Sequence, residues 1–134
     1  MSSRREARER ALGLCYELDV RGLAAEDLLT QLPAPPDDYA IAILRGVDEK
    51  REEIDALLRK FSEHWAVERM PVVDRALLRI GCYELGWESE LPTGVILSEA
   101  VELAKQYSTK DSGRFVNGLL GRIAEDLRAP EAAS

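Results

Sequence analysis

The sequence predicts an all-α protein, and three observations favour this class. Apolar residues recur every three or four positions through most of the chain, as they do on one face of an amphipathic helix. Proline-containing stretches at 33–36 and 91–94 separate these periodic segments. No segment alternates apolar and polar residues between hairpin turns, as a strand would. With 134 residues, of which 46% are hydrophobic, the chain is long enough for the core of one domain.

The first helix begins with a capping box. Ser3 and Glu6 have the spacing at which a serine hydroxyl and a glutamate satisfy free backbone N–H groups. The helix should end near residues 21–22, and a short second helix over 24–32 stops at the proline-rich loop 33–36. The apolar stripe of the first helix comprises Ala7, Ala11, Leu14, Cys15 and Leu18.

A long third helix follows. Asp37 or Asp38 would cap it, and its apolar period continues to about Phe61. Gly46 could bend this helix, although one glycine costs only about 1 kcal/mol. The predicted buried face consists of Ile41, Leu44, Val47, Ile54, Leu57, Leu58 and Phe61.

Three further helices account for the second half of the chain. The first of them runs over about 71–87 with its proline in the first turn, and the next runs over about 95–107. Asp111 or Ser112 would cap the last helix, which continues to about residue 127. The final residues 130–134 are expected to be a frayed tail.

Part of the first helix has a counterpart half a chain away. The residues Cys-Tyr-Glu-Leu at 15–18 recur at 82–85, an offset of 67, and Arg8 and Arg75 share that offset. An internal duplication would produce two small helical bundles packed together. Helical composition alone could also produce some of these matches, so both explanations stay open.

The side chains of common catalytic sites are scarce. The chain has one histidine, His64, which fits a surface or boundary position, and its two cysteines lie on or near apolar faces. Glu99 and Glu102 share a helix face without a histidine beside them, and neither a glycine-rich phosphate loop nor metal-ligand spacing occurs. We therefore expect no enzyme, no metal and no cofactor.

Targeting signals are absent from the sequence as well. No apolar run approaches the roughly 18–20 residues of a membrane-spanning helix, and the N-terminus does not resemble a secretory signal. Cys15 and Cys82 form no CxxC pair and are expected to be free thiols in the cytoplasm.

Charge is unevenly distributed along the chain. The net charge of −7 argues by itself against nucleic-acid binding. Residues 1–10, however, carry four arginines against two glutamates, a net +2, and residues 105–122 carry four cations against one aspartate, a net +3. The remainder therefore carries −12. The chain is an acidic body with two basic segments.

Each basic segment could contact a single-stranded nucleic acid. Arg5, Arg8 and Tyr16 fall within about 80° of one another on the first helix, where arginines can bind phosphates and a tyrosine can stack on a base. Residues 105–114 combine cations, an aromatic ring and hydroxyls around a helix start. The alternatives are a solvated charged face for the first segment and an ordinary polar helix–helix loop for the second.

The chain carries a series of sequence motifs in a fixed order and spacing. These motifs are Arg4 to Ala11 followed by Leu14-Cys15-Tyr16, then Val73-Asp74-Arg75-Ala76-Leu77-Leu78-Arg79-Ile80 and Tyr83-Glu84-Leu85, then Ser98 to Lys105, and Asp111-Ser112-Gly113-Arg114-Phe115-Val116-Asn117-Gly118-Leu119-Leu120. Together they resemble the NusB family of bacterial transcription antitermination factors. The resemblance extends from about residue 3 to residue 127, and its most specific blocks are the two at 73–85 and 115–120.

This resemblance implies a fold of two packed small bundles with about six to seven helices. It also implies a single RNA-binding domain over 1–129. NusB proteins bind the boxA element of nascent ribosomal RNA transcripts together with NusE, a ribosomal protein, and the complex helps RNA polymerase to resist termination. The chain is accordingly expected to be a cytoplasmic monomer or homodimer that binds boxA RNA and NusE within an antitermination complex.

The family's RNA lies along the first helix and the loop before the last one. The resemblance therefore implies RNA contacts at Arg4, Arg5, Arg8, Tyr16, Tyr107, Lys110, Asp111, Ser112, Arg114 and Phe115, although Phe115 could instead belong to the core. It implies partner contacts at Glu68 and Asp74. Glu6 interrupts the longer arginine run of other members, which suggests modest RNA affinity without NusE. A ribosome-assembly accessory, or a helical protein–protein adaptor without RNA binding of its own, is the alternative.

Overall fold

The computed structural model describes residues 3–63 and 65–128, and this part of the chain is helical without a strand. The predicted all-α class is confirmed. The His64 prediction and the tail at 130–134 lie outside the described residues. The elements are α1 Arg4–Arg21, α2 Ala25–Gln31, α3 Asp38–Glu49, α4 Arg51–Phe61, a 3₁₀ turn Val67–Arg69, α5 Val72–Trp87, α6 Thr93–Tyr107 and α7 Lys110–Leu127.

Both ends of α1 follow from its sequence. The Glu6 N–H donates to Ser3 Oγ at 3.0 Å, and the Ser3 N–H donates to Glu6 Oε1 at 2.9 Å, which completes the predicted capping box. Gly22 ends the helix with φ 65°, a left-handed conformation that glycine adopts without a steric penalty.

The prediction of one long helix from 37 to 61 was wrong. Lys50, with φ −100° and ψ 16°, separates α3 from α4. The apolar period continues from Val47 through Ile54 to Leu58, and all three side chains are buried. Because both helices bury the same stripe, the pattern does not reveal a break of one residue.

Gly46 serves packing between helices rather than bending. A Cβ at this position would lie 2.1 Å from Cε1 of Tyr83 on α5, so only glycine lets α3 approach that ring. The break between the two helices comes four residues later, at Lys50.

The predicted start of the last helix was also wrong by two to three residues. Thr109 caps α7, because its hydroxyl accepts the Ser112 N–H at 3.2 Å. Ser112 Oγ in turn lies 3.4 Å from the Thr109 N–H, so serine takes the place that glutamate or glutamine holds in the usual capping box. Asp111 and Ser112 are consequently in the first turn.

Helix α5 is the centre of the molecule. It packs against α1 and α3, which form one small bundle, and against α4, α6 and α7, which form the other. Both bundles therefore share α5. Its buried surface includes Leu77, Leu78, Ile80, Cys82 and Leu85. The apolar positions of α5 extend around most of the helix, as expected for a helix covered on several sides.

Buried and partly buried ion pairs also join α5 to its neighbours. Arg79 donates from Nε and Nη2 to the two carboxylate oxygens of Asp55 on α4, both at 2.9 Å. Arg75 donates from Nε to Asp19 on α1 at 2.7 Å. Arg75 also donates to the carbonyl of Val67 at 3.0 Å, which fixes the 3₁₀ turn.

The two cysteines are free, as predicted, and they are buried, as their positions on or near apolar faces indicated. Burial raises the pKa of the Cys15 thiol to about 12 and raises that of Cys82 as well. Both are therefore protonated structural thiols at neutral pH.

Candidate nucleic-acid interface

Two contacts between α1 and α6 bring the basic segments together. The Arg5 guanidinium donates from Nε to Glu99 Oε1 at 3.2 Å and from Nη2 to Oε2 at 2.5 Å. The Tyr107 hydroxyl donates to Glu9 Oε2 at 2.6 Å. Residues more than 90 positions apart in sequence are thus neighbours, and the start of α1 lies beside α6 and the turn that follows it.

Two exposed cations, Arg4 and Arg5, lie at the first turn of α1. The Arg4 guanidinium lies over the Tyr39 ring, with 3.9 Å between its central carbon and the ring centroid. The Arg5 side chain is 57% exposed despite its bond to Glu99. Because the first N–H groups of a helix also attract anions, this end of α1 suits phosphate binding.

Arg8 differs from these two arginines because it is buried. Its Nε lies 2.9 Å from Glu84 Oε2 on α5, and its Nη1 lies 3.6 Å from Glu99. The Tyr39 hydroxyl donates to the same Glu84 carboxylate. Burial raises the pKa of Glu84, which Arg8 and Tyr39 oppose. Arg8 lies on the stripe of Ala11 and Cys15, and this spacing is the sequence signal for its burial.

Asp74 on α5 fixes the turn between α6 and α7 through hydrogen bonds. This buried carboxylate accepts hydrogen bonds from Ser108 Oγ at 2.6 Å and from Ser112 Oγ at 2.8 Å. Ser112 is buried too. In this structure both residues therefore fix the backbone of the turn and are covered from solvent.

Three charged residues of the second segment are exposed on the first turns of α7. Lys110, Asp111 and Arg114 all reach solvent. Lys110 and Arg114 line a groove of about 460 Å³ between α6 and α7 together with Lys105 and Glu102, and the Lys105 Nζ lies 3.9 Å from Glu102 Oε1.

Exposed aromatic rings accompany these cations. Tyr107 is 48% exposed and Tyr16 is 43% exposed. Tyr16 falls within about 40° of Arg5 and Glu9 around the axis of α1, at about 100° per residue. The hydrogen bond to Glu9 raises the pKa of Tyr107, so its hydroxyl stays protonated at neutral pH.

The sequence did not indicate that the ring of Trp65 lies beside that of Phe115. Trp65 is 46% exposed, and its ring centroid lies 5.5 Å from that of Phe115, which is half-buried. Trp65 follows the end of α4 and lies far from Phe115 in the chain, so no local pattern links them. Phe115 packs against the core at one side and against Trp65 at the other.

Glu68 and Asp74 differ in their exposure to solvent. It is exposed on the 3₁₀ turn, 3.6 Å from Arg59, and a hydrogen bond with its own backbone lowers its pKa most. Asp74 is buried under the α6–α7 turn. Of the two acidic residues expected to meet a partner, only Glu68 is at the surface.

The described residues form neither a metal-binding cluster nor a membrane-spanning helix. Within 3–63 and 65–128, no three histidine, cysteine or acidic side chains are grouped to hold a metal ion. None of the described helices has the length and apolar character needed to cross a membrane.

These features define a small helical protein with one face that combines arginines, lysines and exposed tyrosines. The chain belongs to the NusB family, whose sequence model matches residues 5–125. The transcription antitermination protein NusB of Kineococcus radiotolerans is 47% identical over 129 residues, which cover 93% of this chain and 95% of the relative. That of Saccharopolyspora erythraea is 48% identical over 130 residues, covering 92% and 88%.

Solved structures agree with this membership. The chain resembles NusB of T. maritima with a TM-score of 0.83 and 35% identity, covering 93% of this chain and 92% of that one. It also resembles, with a TM-score of 0.78 and 28% identity, a chain from a crystal structure of the antitermination factors NusB and NusE in complex with double-stranded RNA. The coverage there is 92% of this chain and 96% of the other.

Proposed function

We propose that this chain is a transcription antitermination factor that binds boxA RNA of nascent ribosomal RNA transcripts together with NusE. In that role it supports the processivity of RNA polymerase within an antitermination complex. The observation that carries the proposal is the joining of the two basic segments by the Arg5–Glu99 and Tyr107–Glu9 contacts. An RNA strand long enough to reach both segments would meet cations and rings on one continuous face.

The exposed residues of this face have the chemistry of direct contacts. Arg4, Arg5, Lys110 and Arg114 would bind phosphates, and Tyr16 and Tyr107 would stack on unpaired bases. Asp111, exposed between the cations of α7, can accept a hydrogen bond from a base or a ribose.

The buried residues fit a different role. Arg8 orients α1 against α5 through Glu84, and Ser112 and Asp74 hold the α6–α7 turn. A direct RNA contact by Arg8 would require Glu84 and Glu99 to release it. These residues therefore support the RNA face from beneath, as Phe115 does through its contacts with the core.

The acidic remainder of the chain favours a basic protein partner. A region of net −12 repels RNA away from the face and suits a ribosomal protein such as NusE. Glu68 is the exposed acidic residue that we assign to this partner. We assign residues 1–129 to one non-catalytic domain that acts in the cytoplasm, as a monomer or homodimer.

A titration of boxA RNA with and without NusE tests this function. NusE should tighten the binding of a boxA oligonucleotide more than that of a scrambled one, and affinity should fall steeply with salt. Light scattering in the same titration reports whether the protein is monomeric or dimeric. Equal affinity for boxA and scrambled RNA in the presence of NusE would contradict the proposal, and binding of NusE alone would favour a protein–protein adaptor.

A further inference from the structure

Arg5, one of the exposed cations of α1, is already bound to a carboxylate. Glu99 accepts two hydrogen bonds from Arg5 and thereby covers the Nε–Nη2 edge, one of the edges by which a guanidinium binds phosphate in a bidentate manner. Glu99 is therefore a carboxylate within the face that we propose for RNA.

The two side chains of this ion pair differ in their exposure to solvent. The Glu99 side chain is 13% exposed and lies 3.6 Å from Nη1 of buried Arg8, so it is held in place. The Arg5 side chain is 57% exposed and can turn outward. The hydrogen bond with Arg5 lowers the pKa of Glu99, which keeps the carboxylate charged at neutral pH.

We propose that Glu99 sets the affinity and selectivity of the RNA face by competing with RNA phosphates for Arg5. A phosphate gains the full charge of Arg5 only by displacing this carboxylate. A ligand that also engages Lys110, Arg114 and Tyr107 can offset the displacement, whereas an isolated anion cannot. Glu99 thus favours extended strands over single phosphates. This inference rests on the RNA-binding function proposed above.

The chain offers a matched control for Glu99. Glu26 on α2 accepts two hydrogen bonds from Arg45 on α3, at 2.6 Å and 3.2 Å, in a pair of the same kind. Neither Glu26 nor Arg45 belongs to the proposed RNA face. Glu99→Gln and Glu26→Gln therefore change the net charge equally, and only the first releases a cation at the proposed site.

RNA affinity is measured for both variants by fluorescence anisotropy with a boxA oligonucleotide in the presence of NusE. We expect Glu99→Gln to bind roughly three- to tenfold more tightly than the wild type, and Glu26→Gln to differ less than twofold. The plot of log affinity against log salt should become steeper by about 0.7 for Glu99→Gln, because one more phosphate is neutralised without a competing carboxylate.

A second background distinguishes competition from other effects of the substitution. In an Arg5→Gln chain, Glu99→Gln should change affinity less than twofold, since the contested cation is gone. A thermal melt checks the fold, and if Glu99→Gln does not fold, Glu99→Asp, whose carboxylate is set back by one methylene, replaces it with the same expected direction.

Two results would overturn the inference alone: Glu99→Gln binding no more tightly than Glu26→Gln, or a gain that persists without Arg5. Binding weakened by Glu99→Gln would show that Glu99 positions Arg5 instead. If the wild type and all variants fail to bind boxA RNA with NusE present, the proposed function itself fails. The two failures are therefore distinguishable.

Discussion

Arginine–carboxylate pairs occur in two regions of this molecule with different consequences. In the interior, Arg79 and Arg75 of α5 are bound to Asp55 and Asp19, and little of these side chains reaches solvent. At the surface, Arg5 is bound to Glu99 with more than half of its side chain exposed. The chemistry is the same, but burial makes the first group structural and leaves the second open to exchange with a ligand.

Arg8 connects these two regions. It belongs to the interior through Glu84 and approaches the surface pair through Glu99. Because Arg8 on α1 reaches a carboxylate of α5, while Arg75 on α5 reaches a carboxylate of α1, the two arginines related by the offset of 67 make reciprocal contacts. The internal duplication itself stays a prediction.

Breaking an interior pair should have the largest effect. Asp55→Ala removes the bidentate partner of buried Arg79 and leaves it only the 3.3 Å contact with Asp19, so we expect a loss of up to about 3–5 kcal/mol in the free energy of unfolding. Urea denaturation followed by circular dichroism measures it. The exposed counterpart Glu26→Ala should leave the unfolding midpoint nearly unchanged. Equal effects of the two substitutions would contradict the distinction between interior and surface pairs.

The contact of α3 with α5 should be the next most sensitive. Gly46→Ala would place a methyl group against the packed Tyr83 ring, so we expect a loss of about 1–3 kcal/mol in the free energy of unfolding. Gly13→Ala is the control, because nothing lies within 4 Å of a Cβ there, and it should gain about 0.5–1 kcal/mol. An unchanged free energy of unfolding in Gly46→Ala would mean that the Tyr83 ring can move aside for the added methyl group.

Much of the fold could be predicted because its signals are local. The capping box at Ser3 and Glu6, the glycine after α1 and the apolar periods each depend on residues within one or two turns. The break at Lys50 was missed because the buried stripe passes through it unchanged. The start of α7 was missed because Thr109 and Ser112 make an unusual capping box.

The candidate site was predicted less completely, because its geometry depends on distant residues. The resemblance to NusB pointed to Arg8, Ser112 and Asp74 as direct contacts, yet all three are buried by partners 30 to 80 positions away. Sequence alone also gave no reason to pair Arg5 with Glu99 or Trp65 with Phe115. Charge and aromatic content locate a basic segment, but accessibility requires the packed structure.

The central claim is that the two basic segments form one RNA face, and single-charge variants in each segment test it most directly. The variants are Arg5→Gln, Lys110→Gln and, as the control, Lys60→Gln on α4, whose lysine is also exposed and lies 3.9 Å from Asp126. Their affinities for a boxA oligonucleotide with NusE are compared at several salt concentrations. We expect Arg5→Gln and Lys110→Gln each to weaken binding about three- to tenfold, while Lys60→Gln changes affinity less than twofold. The salt slope should fall by about 0.7 for Lys110→Gln and by less for Arg5→Gln, because Glu99 already competes with phosphate for Arg5. Loss of affinity from only one of the two segments, or equal losses from all three variants, would contradict a single face.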